Sequence, residues 1–174
     1  MLERAGAGYR IEPSGRDTGV TALMTTRLLE DFQVGETWTS RWETITEEAI
    51  VAFGKANDPQ PIHTDPAAAA TGRFGTVIAS GWQIAALSLR LFVEAGGYGD
   101  TPMVGLGIDE LRWKQIVRPG DTLQVHRTVI EVRRSATRPD RGSVKSRVEV
   151  KNQNGEVVLS MIALGQVPAR TSGP

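Results

Sequence analysis

Asp58 and His63 are the residues of this chain whose types and spacing best suit chemistry, a carboxylate and an imidazole five positions apart. An imidazole gives and takes protons near neutral pH, and a carboxylate beside it can share the work of holding and activating a water. The run Asp58-Pro59-Gln60-Pro61-Ile62-His63-Thr64-Asp65-Pro66 contains three prolines. Each biases the residue before it away from the α region, so Asp58, Gln60 and Asp65 are expected to be extended and the run to form a stiff loop between helices. A stiff loop presents both groups without an entropic loss at the transition state. Eighteen residues beyond the histidine, Ser80-Gly81 opens a long apolar segment. The first amides of a helix are unpaired donors at the positive end of its dipole, and a glycine there lets a ligand approach the backbone closely. That is the design of an oxyanion site, with Gly81 N–H as the donor.

These groups need elements to hold them. Gly35 to Trp42 alternates β-branched and aromatic residues as a strand does. Thr46 is a good N-cap for a helix that Glu47 and Glu48 begin and Asn57-Asp58-Pro59 ends. Asp65 reads as the N-cap of a short Ala-rich turn that starts at Pro66. From Ser80 to Ala95, Ile84, Leu87 and Leu91 recur at helical spacing, and flanking apolar residues predict a helix buried nearly all round, stopped by Gly96-Gly97. Beyond Gly99 the period becomes two, with strands expected over 103–114, 122–133, 143–152 and 156–167. Asn154-Gly155 is a hairpin turn signal, and a phase slip between Val125 and Val129-Ile130 suggests a bulge. His126 falls inside a strand and reads as structural. Strands grouped after helices indicate an α+β fold, an antiparallel sheet packed on one long helix. One domain is expected over residues 24–168, preceded by a loose Gly- and Arg-rich arm over 1–23 and followed by a frayed end over 169–174.

Composition narrows the chemistry. The chain has 174 residues, no cysteine and two histidines, which excludes disulfides, thiolate metal sites, a cysteine nucleophile and a three-histidine zinc site. A zinc site built on His63 with Asp58 or Asp65 lacks the usual ligand count, so no metal is expected. Twenty Lys plus Arg balance twenty Asp plus Glu, which leaves no basic footprint for a nucleic-acid partner. No apolar run is long enough to span a membrane, and none follows the N-terminal charges as in a secretory signal, so a cytoplasmic location is expected.

The run Asn57-Asp58-Pro59-Gln60-Pro61-Ile62-His63-Thr64-Asp65, followed by Phe74-Gly75-Thr76-Val77-Ile78-Ala79-Ser80-Gly81, resembles the MaoC-like family, which includes the (R)-specific enoyl-CoA hydratases, or hydratase 2 enzymes. The resemblance covers about residues 30–167. It implies a hot-dog fold, a curved antiparallel sheet wrapped around a central helix, and a homodimer or higher homo-oligomer. It implies a hydro-lyase in which Asp58 and His63 add a water across the double bond of a 2-enoyl thioester, or remove it, while Gly81 N–H polarises the thioester carbonyl. It implies no cofactor beyond the CoA or acyl-carrier handle of the substrate. Two positions depart from the family pattern. Gln60 stands where the family has Asn, which changes the reach of an amide that supports the loop. Ser80 stands where the family has His, which removes a ring near the thioester. Two other readings remain open for the same fold. A thioesterase draws on an acidic residue in or near the central helix, and here Glu94, at the far end, is the only one between Ser80 and Ala95. A non-catalytic module that binds acyl thioesters is the other, kept open by the changes at positions 60 and 80.

Overall fold

The computed structural model describes residues 26–171, so the expected arm over 1–23 lies outside the described residues. A short 3₁₀ turn, Leu29–Asp31, leads into β1 (Thr37–Thr39) and β2 (Glu43–Thr44). Four helices follow, α1 (Glu47–Asn57), α2 (Pro61–Thr64), α3 (Pro66–Ala70) and α4 (Gly81–Glu94). The chain ends in β3 (Val104–Trp113), β4 (Thr122–Arg134), β5 (Arg141–Asn152) and β6 (Val157–Pro168). The strands form one antiparallel sheet of order β1-β4-β5-β6-β3, with β2 also on β4.

The expected strand over 35–42 is interrupted at Ser40. Its N–H donates to Val125 O and its hydroxyl accepts from Val125 N–H, both at 2.9 Å, so a side chain replaces a ladder partner and the chain turns before β2 resumes the pairing. Thr46 caps α1 as expected, accepting from Ala49 N–H at 3.1 Å. The proline-rich run is not all loop. Pro61 sits at the start of α2, where a missing N–H costs nothing, and the single turn that follows carries His63.

The core lies where α4 crosses the sheet. Ile84, Leu87 and Leu91 pack with Val125, Val148, Val150 and Leu159. The inward residues of β4 and β5 alternate with outward ones along their length, as a sheet with one covered face requires. A register shift between Val129 and Glu131 supplies the bulge expected on β4. The helix α4 is not buried all round. Trp82, Leu89 and Val93 are about half exposed, and so are Val104, Leu106 and Ile108 on β3, the terminal strand of the sheet. At the other end the chain is tied down beyond 168. Ala169 is buried and donates to Asp140 O at 2.8 Å, and Arg170 pairs with Asp31 at 2.7 Å.

Candidate active site

Asp58 is the C-cap of α1, and its non-helical backbone turns the chain from that helix into the proline run. His63 follows on α2 and is buried beneath α1. Gly54 on α1 allows this closeness, since a Cβ there would lie 2.7 Å from His63 O and 2.9 Å from His63 Cβ. The two side chains meet with His63 Nε2 3.3 Å from Asp58 Oδ2.

Each ring and carboxylate atom has an assigned neighbour. His63 Nδ1 lies 2.6 Å from Ile78 O. A carbonyl only accepts, so Nδ1 carries the hydrogen, and in the neutral ring Nε2 is an acceptor. An acceptor nitrogen and a carboxylate oxygen therefore face each other, an arrangement that favours a shared proton or a water donating to both. Gln60 Nε2 donates to Asp58 Oδ1 at 2.8 Å, and Ser80 Oγ donates to Asp58 Oδ2 at 2.7 Å. The Gln60 hydrogen bond, then that from Ser80, holds the Asp58 carboxyl below its ordinary range, partly opposed by burial and aided by nearby His63. Donors aimed at the charged form favour it.

Ser80 does a second job. It is fully buried at the N-cap of α4 and accepts from Trp82 N–H at 3.3 Å. The amide of Gly81, the first of α4, makes no hydrogen bond among the described residues and borders the same cavity of about 360 Å³ as Asp58 and His63. Trp113 covers Gly81 so closely that a Cβ there would lie 2.2 Å from its Nε1. Trp113 also meets Trp82 edge to face, with ring centroids 5.4 Å apart. A bulge between Asp109 and Arg112, where Glu110 takes a left-handed φ of 53°, re-aims the end of β3 towards this place.

The other expected residues lie elsewhere. Asp65 caps α3 through Ala68 N–H at 3.0 Å and does not border the cavity. His126 faces outward on β4, 3.4 Å from Thr39 Oγ1. Glu94 ends α4 and pairs with Arg41 at 3.3 Å and Arg90 at 3.2 Å, away from the cavity. Trp113, the Ile78 carbonyl and the bond from Ser80 to Asp58 are features of the site that sequence reasoning did not foresee. For Ser80 the signal was present, since an N-cap serine can also donate. For Trp113 there was none, because a bulge at a glutamate leaves no mark in the alternation. Among the described residues no group of three or more His, Asp or Glu gathers as a metal site would, and no helix is long and apolar enough to cross a membrane.

Residues 31–153 match the family described as MaoC like domain. The chain belongs to that family. The MaoC-like dehydratase of Rhodospirillum rubrum is 39% identical and superposes with a TM-score of 0.72, over 84% of this chain and 99% of that one. The 3-hydroxyacyl-thioester dehydratase Z of Mycobacterium tuberculosis is 32% identical over 114 residues, 64% of this chain and 76% of that protein. R-hydratase PhaJ1 of Pseudomonas aeruginosa, in its unliganded form, is 26% identical with a TM-score of 0.60, over 84% of this chain and 92% of that one. The sheet packed on α4 is thus the hot-dog arrangement of MaoC-like domains, and Asp58, His63 and Gly81 all fall at its cavity.

Proposed function

We propose that this MaoC-like domain adds water across the C2=C3 bond of a 2-enoyl thioester, or removes it from the 3-hydroxyacyl form, with CoA or an acyl carrier as the thiol. The observation that carries the reading is the facing pair of acceptors, His63 Nε2 and Asp58 Oδ2, 3.3 Å apart beside the unengaged Gly81 amide. A water seated beside the pair in the cavity hydrogen-bonds to it. In hydration its oxygen attacks C3 as the pair takes a proton. The π electrons move towards the thioester oxygen, where Gly81 N–H stabilises the developing charge. The pair then returns a proton to C2, so one water supplies both the hydroxyl and the hydrogen. Gln60 and Ser80 keep the carboxylate ionised and fixed in rotation. The names of the relatives, a 3-hydroxyacyl-thioester dehydratase and an R-hydratase, support this substrate class.

The half-exposed apolar faces of α4 and β3 support a homodimer, since a long apolar terminal strand with a free edge invites a second copy.

The experiment is hydration of a 2-enoyl-CoA by wild type, Asp58→Asn and His63→Ala. Each variant is expected to lose about 10²–10⁴ in kcat while keeping the wild-type circular dichroism. Near wild-type turnover in either would remove that residue from the mechanism. Release of free thiol by the wild type, without hydration, would favour a thioesterase, and saturable binding without turnover a binding module.

A further inference from the structure

A second cavity, of about 610 Å³, lies between α4 and the sheet. Its walls are mostly apolar, among them Ala85, Phe92, Met103, Val125, Val148 and Met161. The charged side chain on those walls is Arg127. It occupies an inward position of β4, between Val125 and Val129, and is only 7% exposed. A buried guanidinium normally has a carboxylate partner, because an unpaired charge is costly to desolvate. Among the described residues Arg127 forms no ion pair. Its guanidinium makes one hydrogen bond, from Nη2 to Tyr98 Oη at 2.5 Å. It also lies 4.0 Å from the Phe92 ring and 5.1 Å from the Tyr98 ring. Aromatic faces support a cation in place but leave the in-plane donors unused. Tyr98 Oη accepts from Arg127 and still has its own hydrogen to donate. The Tyr98 hydroxyl hydrogen and the Arg127 N–H groups not given to Tyr98 thus have no acceptor among the described residues, and both side chains border the same cavity.

We propose that this cavity takes the acyl chain of the thioester and that Arg127 and Tyr98 bind a carboxylate at its far end, so that the preferred substrate is an enoyl thioester of a dicarboxylic acid. This rests on the hydratase reading. Trp82 borders both cavities, which therefore lie side by side. Arg127 stacks on Phe92, ten residues further along α4, or about 15 Å of helix. An extended chain covers that in roughly twelve bonds at about 1.2 Å per bond. The carboxylate takes the Arg127 N–H groups that no acceptor among the described residues occupies, and the apolar walls suit the methylenes between the two ends.

The test compares the CoA monothioester of 2-dodecenedioic acid, thioesterified at the enoyl end, with 2-dodecenoyl-CoA. In the wild type kcat/KM is expected to favour the dicarboxylic substrate about 10- to 100-fold, the range of a charge-assisted hydrogen bond out of water. Arg127→Met is expected to collapse that ratio to one or below, and Tyr98→Phe to reduce it. Should Arg127→Met fail to fold, Tyr98→Phe and Arg127→Lys carry the comparison. A wild type that prefers 2-dodecenoyl-CoA, or an Arg127→Met ratio equal to the wild-type ratio, overturns the proposal. If neither substrate is hydrated, the hydratase reading fails. Equilibrium binding of the saturated dodecanedioyl and dodecanoyl CoA esters then decides, and equal affinities overturn the carboxylate site.

Discussion

Replacing Ser80 with alanine separates two jobs done by one hydroxyl. The first is the cap on α4, where Ser80 Oγ accepts from Trp82 N–H. Loss of a serine cap costs about 1 kcal/mol, which in a domain of this size lowers Tm by roughly 2–4 °C. The second is the bond to Asp58 Oδ2 at 2.7 Å, which helps hold that carboxyl below its ordinary value of 3.8. The sign follows directly. A depressed pKa keeps Asp58 ionised down to a lower pH, so removing a donor moves the pKa up and protonates Asp58 earlier as the pH falls. The ratio of Ser80→Ala to wild-type kcat/KM should therefore be largest near neutrality and fall towards acid pH. Taking the ratio cancels the titration of groups common to both proteins. Ser80→Thr, which retains the hydroxyl, should keep a flat ratio. The assay is hydration of a 2-enoyl-CoA from neutral pH down to about pH 3, below the ordinary Asp58 value of 3.8, with thermal melts alongside. A Ser80→Ala protein with a lower Tm and a flat ratio would make Ser80 a helix cap alone and refute the bracing of Asp58.

Gly54→Ala should destabilise by about 1–2 kcal/mol, because overpacking against the His63 backbone outweighs the helix propensity gained; denaturant unfolding measures it, and an unchanged midpoint would mean α1 can move away from α2. Truncation after Pro168 should lower Tm by a few degrees, since it removes buried Ala169 with its bond to Asp140 and the Arg170–Asp31 pair; a frayed terminus would leave the melt unchanged. Leu89→Lys or Ile108→Lys should convert the proposed dimer to a monomer in light scattering, and a dimer that survives both places its interface elsewhere.

Much of the fold was legible because its signals are local. Thr46, Gly96 and Asn154-Gly155 mark ends that depend on a few neighbouring residues, and the four long strands follow from alternation. The pair of Asp58 and His63 could be picked out because prolines isolate both from any amphipathic pattern. What escaped depends on contacts distant in sequence. Ser40 breaks the first strand by bonding to Val125. The α2 turn inside the proline run rests on Ile78, whose N–H donates to Ile62 O and whose carbonyl meets His63. Arg127 is a related case. It stands at an inward position of β4, where alternation gives an apolar residue, and was passed over because the strand pattern around it remained intact. The exposed side of α4 was unexpected because its apolar residues were assigned to one core, whereas Trp82, Leu89 and Val93 are only about half covered.

The two departures from the family pattern meet on one carboxylate. Gln60 holds Oδ1 and Ser80 holds Oδ2, so neither position is independent of the other. Restoring the family asparagine at 60 would shorten the arm that reaches Oδ1. Restoring its histidine at 80 would put a ring where only a hydroxyl now fits, in competition with His63 for the same oxygen. The effects of these two reversions should not add. A double-mutant cycle over positions 60 and 80 should therefore show a coupling energy, because both side chains brace one carboxylate.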